Sequence, residues 1–481
     1  MILLILLILV PLIAGIFTFL VKGNGAKGLA LISSLITLGL TVYLSYAATP
    51  DPISWSRPWI PLLGTQVSLH ADGMSAMLCL LTGIILPVVI ISNWNKDVEN
   101  PHAFYGLLLL SQTGLLGVFL AYDALLFYVF WELALIPVYF LCSRWGGEKR
   151  IPVTFKFFVY TFVGSLMMLA GIIYLSLQSG VSNPYAWENI VAAGKALPPL
   201  QQHMLFWLIF VAFAIKMPIF PFHTWQPDTY EQSPTPVTII LSALMVKMGL
   251  YAVLRWLMPV LPEGVAYWSN TVIVLSIIGI VYASCIAMVQ TDIKRLVAYS
   301  SIAHMGLMCA AAFAQTETGT HGLMVQMFNH GINITGMWLI VSMIENRWGT
   351  RDMTKLGGMA TAAPQMAIAL VIISLANIAL PLTNGFIGEF MLFNGLFQSA
   401  SEYHITFMVI AGLGIILGAV YTLSMIQKVA YGEVVEPTVK GDLKLNETIG
   451  LAVIIAIILV LGVYPKPLLD MTSGMMSLVA R

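Results

Sequence analysis

The chain has 481 residues, of which 59% are hydrophobic and 9% charged. Soluble domains carry about 25% charged residues, so there is too little polar surface here to cover one water-soluble globule. The 22 basic and 22 acidic residues cancel, which leaves no basic footprint for nucleic acid. This is the composition of a polytopic membrane protein in a lipid bilayer.

Cys79, Cys142, Cys285 and Cys309 form no C-x-x-C pair and have no His at ligand spacing. That pattern predicts neither a metal or iron–sulfur site nor a disulfide framework. The start, M-I-L-L-I-L-L-I-L-V, lacks a basic region and a small-residue cleavage site. It reads as a retained membrane helix and not as a signal peptide.

Apolar runs of about 20 residues are membrane-helix candidates. Fourteen occur, at 2–21, 27–47, 73–92, 103–121, 123–142, 157–178, 202–222, 236–256, 268–289, 296–314, 321–344, 364–398, 405–428 and 448–466. The fourth and fifth almost touch at Ala121–Tyr122–Asp123, and the twelfth is too long for one straight span. The expected fold is all-α, with about 14 transmembrane helices.

Fourteen spans place both termini on one side. One set of loops carries Lys22, Lys27, Lys96, Arg144, Lys149, Arg150, Lys156, Lys294, Arg295, Arg347, Arg351, Lys355, Lys428, Lys440 and Lys444. The other carries Arg57, Lys195, Arg255, Lys466 and Arg481. Fifteen against five predicts that the first set is cytoplasmic and both termini are external. Of the 22 basic residues two remain, Lys216 and Lys247, inside helices seven and eight.

Lys247 sits mid-helix in L-S-A-L-M-V-K-M-G-L-Y-A-V, too deep to reach an interface. Lys216 lies in A-I-K-M-P-I-F-P, Glu132 in F-Y-V-F-W-E-L-A-L-I-P, and Glu389 in the second half of the twelfth run. Each such charge costs roughly 2.5–3.5 kcal/mol at the bilayer centre. Ion pairs that merely clip helices together are poorer stabilisers than apolar packing, so four midplane charges read as a proton or ion relay. His223, His304 and His330 extend the set, since neutral imidazole can bridge protonatable sites through water.

Pro218 and Pro221 follow Lys216 and remove two backbone donors, which predicts free carbonyls at Ala214 and Met217. In the twelfth run, L-A-N-I-A-L-P-L-T-N-G-F-I-G-E-F, Pro381 does the same for Asn377. Unsatisfied backbone at membrane depth survives only within protein or beside water. The breaks lie five helices apart, so a second copy of the repeat enters from the opposite side, as in transporters built on inverted repeats. The expected segments are 1–102 (helices 1–3), 103–260 (helices 4–8), 261–430 (helices 9–13) and 431–481 (helix 14 and the C-terminus).

Other signals carry less. G-N-G-A-K-G at 23–28 joins two membrane helices and follows no strand, so it is a turn and not a dinucleotide site. No Walker A run is present, which argues against ATP as the driver.

F-W-E-L-A-L-I-P-V-Y-F-L, F-A-I-K-M-P-I-F-P-F-H-T-W-Q-P-D, Q-T-D-I-K-R-L-V-A-Y-S-S-I-A-H-M-G and L-P-L-T-N-G-F-I-G-E-F resemble the antiporter-like subunit M family of proton-pumping NADH–quinone oxidoreductase, respiratory complex I. The resemblance covers nearly the whole chain. It implies a proton-translocating subunit with no cofactor of its own, the flavin, iron–sulfur clusters and quinone belonging to partner subunits. It further implies a bacterial inner membrane location, with L-type and N-type antiporter-like subunits on either side. By motif, Glu132 resembles the family's helix-five glutamate, Lys216 its paired lysine and Lys247 the central lysine. Glu389 resembles the terminal relay residue, and His223, His304 and His330 the connecting histidines. Gln226 departs from the pattern, which has Leu there.

Similar paralogues are the L-type subunit, which adds a long carboxy-terminal arm, and the N-type and the D subunit of multisubunit Na⁺/H⁺ antiporters. The last two typically carry Lys where this chain has Glu389. The implied mechanism is charge arrival that opens or closes the Glu132–Lys216 pair and alters the proton affinity of Lys247. The rivals are a D-type cation/H⁺ antiporter subunit and a purely structural membrane scaffold.

Overall fold

The computed structural model describes residues 2–49, 51–432 and 441–473. Lys440 and Arg481 of the charge count, and parts of the 431–481 segment, lie outside the described residues. A helical hairpin, α1 (Ile2–Thr18) and α2 (Asn24–Ala47), opens the chain. Next comes an antiparallel hairpin of β1 (Ile53–Ile60) and β2 (Thr65–Ala71), with Ile53 opposite Ala71. The helix count did not anticipate it, although I-S-W-S and V-S-L-H-A alternate with the strand period.

Helices α3 (Gly73–Ser92), α4 (Pro101–Leu120), α5 (Ala124–Trp145) and α6 (Arg150–Ser179) follow, then the short α7 (Trp187–Ala196). Asp123 ends the ambiguity between α4 and α5, because its carboxylate accepts the backbone N–H groups of Leu125 and Leu126 and starts a new helix. Helix α8 (Pro199–Lys216) stops at Lys216, and α9 (Gln226–Gln232) resumes beyond the prolines. Helix α10 (Thr235–Leu257) is buried at every residue but Pro236 and runs through the interior of the bundle.

Beyond it lie α11 (Pro262–Met288), α12 (Ile293–Phe313) and α13 (Glu317–Trp348). The twelfth run splits into α14 (Pro364–Asn377) and α15 (Asn384–Phe397). Between them backbone strain is concentrated at Ala379 (φ 56°) and Leu382 (φ 72°), on either side of Pro381. Non-glycine residues hold that left-handed geometry only where their surroundings impose it. Helices α16 (His404–Val429), α17 (Leu445–Val463) and α18 (Lys466–Ser473) complete the described chain.

Among the described residues, eleven helices are long and apolar enough to cross a membrane, against the fourteen expected. The other three runs do hold helices. One is the 17-residue α1, one is α14 and α15 at 14 residues each, and one is α13, whose interior carries Gln326, Asn329, His330 and Asn333.

The loops sort to two ends. At one, Lys156 pairs with Asp228 (2.9 Å), Arg295 with Asp228 and Glu231 (3.2 and 2.8 Å), Arg351 with Asp292 (3.2 Å), and Lys294 with Glu345 (2.9 Å). A polar cavity of about 880 Å³ opens among Lys96, Lys149, Glu231, Lys294 and Arg351. At the other end, Asp123 bridges to Ala186, and the backbone N–H of Glu263 donates to Gln202.

One expected loop charge is misplaced. Arg255 lies inside α10, only 2% exposed, in a buried ion pair with Asp72. Arg255 therefore joins Lys216 and Lys247 as a helical basic side chain no more than 2% exposed. Without Arg255, and without the undescribed Lys440 and Arg481, the loop charges stand at fourteen against three.

Candidate functional site

The residues expected to form a relay come closest together between α10 and the second break. Two wide turns, Ile240–Met245 and Val253–Leu257, flank the segment that carries Lys247. Such turns gather at functional sites because they re-aim carbonyls and side chains. The fully buried Lys247 ammonium donates to the Ser242 carbonyl (2.8 Å) and contacts His330 Nδ1 (2.7 Å). With Nδ1 accepting, His330 carries its proton on Nε2.

The His330 ring lies 5.3 Å, centroid to centroid, from that of His304. His304 Nδ1 faces the Ser300 carbonyl (2.8 Å). Its Nε2 faces the Asn377 carbonyl (2.9 Å) and Glu389 Oε1 (3.4 Å). Acceptors stand at both nitrogens, so the ring bonds them all only when doubly protonated. The carbonyl that Pro381 was expected to free is thus the one His304 holds. A cavity of about 30 Å³ lies among His304, Glu389 and Tyr421, enough for a water molecule.

Glu132 and Lys216 are not paired. Lys216 Nζ finds no hydrogen-bond partner and sits 5.4 Å from the centre of the Trp131 ring. Glu132 Oε1 is likewise buried without a partner. The adjacent Trp131 takes the ammonium onto its face. The first break is also tighter than expected. The Ala214 carbonyl accepts from Ile219 N–H (3.1 Å) and the Ile215 carbonyl from Trp225 Nε1 (3.0 Å).

His223 stands apart. It is buried against Phe220 and Tyr282, its Nδ1 without a partner, and no contact joins it to Lys247 or His330.

Sequence reasoning missed the residues that hold the second break. Asn333 Nδ2 donates to the Ala376 carbonyl (3.0 Å) at the end of α14, and Asn329 Nδ2 to the Asn384 carbonyl (2.7 Å) at the start of α15. Tyr421 donates to Ser300 Oγ (3.0 Å), and Asn377 Nδ2 donates to the same oxygen (3.3 Å). The signal was present in F-N-H-G-I-N, where two Asn four residues apart share the helix face of His330.

Residues 121–418 match the family described as NADH:quinone oxidoreductase/Mrp antiporter. NADH-quinone oxidoreductase subunit M of Rickettsia typhi is 36% identical over 447 residues, 92% of this chain and 89% of that one. F420H2 dehydrogenase subunit M of Methanosarcina mazei is 37% identical over 481 residues, 97% of this chain and 95% of its own. Among solved structures, a chain of respiratory complex I from Thermus thermophilus with bound NADH superposes with a TM-score of 0.90. It is 29% identical, with 99% of both chains covered. The chain belongs to the family of antiporter-like membrane subunits shared by NADH:quinone oxidoreductase and Mrp antiporters, and within it to the subunit M type.

Proposed function

We propose that this chain moves protons across a bacterial inner membrane, driven by NADH-to-quinone electron transfer in other subunits of its complex. The carrying observation is the line Lys247–His330–His304–Glu389, four titratable groups in sequence through the protein interior. Lys216 and Glu132 act as the switch that sets the charge felt by Lys247. Residues 103–260 and 261–430 are the two inverted repeats. The fourteen-to-three loop charge supports a cytoplasmic face at the end bearing Arg295 and Arg351, with both termini outside.

Moving one charge against about 150 mV costs about 3.5 kcal/mol, which the driving reaction must supply to this relay. Cofactors are left to the partner subunits, among them L-type and N-type neighbours. One relative is named for NADH and another for F420H2, which fits an electron donor chosen outside this chain.

Reconstituted complex in vesicles provides the test. Lys247→Ala should cut NADH-driven proton uptake by roughly tenfold or more, the scale of a lost proton-transfer group. Normal pumping in an assembled Lys247→Ala complex would sink the relay. The antiporter reading predicts proton movement driven by a sodium gradient without NADH.

A further inference from the structure

The loop from α3 to α4 turns a lysine toward the interior. The Lys96 ammonium donates to Ser342 Oγ (2.7 Å) on α13, which leaves two of its three protons without an acceptor among the described residues. Lys294 and Arg351 line the same polar cavity, and each pairs with a carboxylate. Lys96 pairs with none among the described residues. Burial brings its pKa from 10.5 down to about 8, against the upward pull of Glu447 and Glu345 and with smaller pushes from Lys294 and Arg347. A bound anion would offset that burial.

Behind Lys96 lies a second cavity, a slot of about 220 Å³ where α3, α4, α5 and the start of α10 meet. Val89, Ile90, Phe104 and Leu108 form its apolar wall and are at most 3% exposed, so the slot lies within the bundle and not on its lipid-facing surface. Tyr105, in the first turn of α4, also lines it and is 2% exposed. Its hydroxyl has no hydrogen-bond partner among the described residues. The slot and the polar cavity share Lys96, Trp145, Pro234 and Thr235, so the lysine stands where one opens into the other. Asp97 borders the slot at its exposed rim.

An apolar cleft with a few convergent polar groups is the usual form of a small-molecule site. Charge and shape narrow the molecule. A cation would face the Lys96 ammonium, and a wholly apolar guest would leave that ammonium and the Tyr105 hydroxyl unmatched. The slot is smaller than the roughly 300–1,000 Å³ of drug-sized pockets, which suits one narrow chain. Its mouth is in the polar cavity, where a two-chain bilayer lipid would have to leave the membrane to enter.

We propose that this slot binds a single-chain carboxylate, a fatty acid, whose carboxylate accepts from Lys96 and Tyr105 and whose tail lies among Val89, Phe104 and Leu108. Thr235 and Pro236 open α10, so the guest packs against the first turn of the helix that carries Lys247. The site is independent of the relay and stands or falls on binding alone.

Photolabelling of the purified complex provides the test, with decanoate carrying a diazirine at its tail end as the probe. Peptide mass spectrometry should place the label on Val89, Ile90, Phe104 or Leu108. Decanoate should compete roughly tenfold better than decanol, the scale of a hydrogen bond to a charged group. Lys96→Met removes the charge at similar length; it should lower labelling roughly tenfold and make the two competitors equal. Leu108→Trp fills the slot and should abolish labelling. Should that variant not assemble, Lys96→Met decides alone. Label confined to lipid-facing positions, or slot labelling unchanged by Lys96→Met, would overturn the site. Displacement by a two-chain phosphatidic acid as effective as by decanoate would assign the slot to a membrane lipid and overturn the fatty acid.

Discussion

His304 Nε2 lies 2.9 Å from the Asn377 carbonyl, so that His304, together with Asn333, holds the backbone where α14 ends. A group expected to carry protons also satisfies the backbone that proline leaves open. The same ring nitrogen stands 3.4 Å from Glu389, so the break and that carboxylate compete for one proton donor. A broken helix in this position makes the proton's location and the backbone geometry a single variable.

Glu132 and Lys216 stand apart, with Trp131 holding the ammonium. If closing that gap is the switch, Glu132→Gln should nearly abolish pumping and coupled quinone reduction, and Glu132→Asp should keep part of both. Trp131→Leu should bias the pair toward contact and weaken the response to driving force. Full pumping by an assembled Gln variant would end the switch.

The Asp72–Arg255 pair is nearly sealed from solvent. Removing one partner strands the other charge, at a cost of about 3–5 kcal/mol. Asp72→Asn should therefore lower the thermal stability of the solubilised complex. The double variant Asp72→Leu with Arg255→Met should recover most of the loss. Equal melting of Asp72→Asn and wild type would show that water already reaches the pair.

His70, on β2, is held neutral. Burial brings its pKa from 6.5 down to about 4, against the pull of Asp72 and with a smaller push from Arg255. A lowered folded value means that the unfolded strand takes up the proton first. Hairpin stability should fall as pH drops from 6.5 toward about 4 and level off below. Hydrogen exchange of the β2 amides, corrected for intrinsic rates, should report that loss, and His70→Asn should abolish it. A flat profile in wild type would contradict the assignment.

Orientation has a direct chemical check. Cys285 is the one exposed cysteine among the described residues, so a Cys285→Ser background comes first. Glu148→Cys should then react with an impermeant thiol reagent only from the cytoplasmic side, and Ser182→Cys only from outside. Reversed labelling would invert the proposed direction of the relay.

The helices and the central line were readable because hydrophobicity and buried charge are local properties of the chain. Lys247, Glu389, His304 and His330 declared themselves by being charged or titratable where charge is expensive. The state of the Glu132–Lys216 pair was not readable, because it depends on which way a flexible ammonium turns, and an adjacent indole face competes for it. Arg255 was misplaced for a related reason. It lies near the end of an apolar run, and only Asp72, 183 residues away, pulls it inward. The amides of α13 were overlooked because uncharged polar residues hardly disturb a hydropathy count.

Asn329 and Asn333 hang the two ends of the interrupted helix from a single rod, and His330 is mounted on that rod between them. A push on the interruption would therefore be felt by α13 and by the imidazole it carries, whereas Lys247 sits on the separate, buried α10. An ångström of travel would stretch the 2.7 Å contact between lysine and imidazole beyond hydrogen-bonding distance. A neighbouring subunit could thus gate this one by leverage alone, without delivering any charge to it.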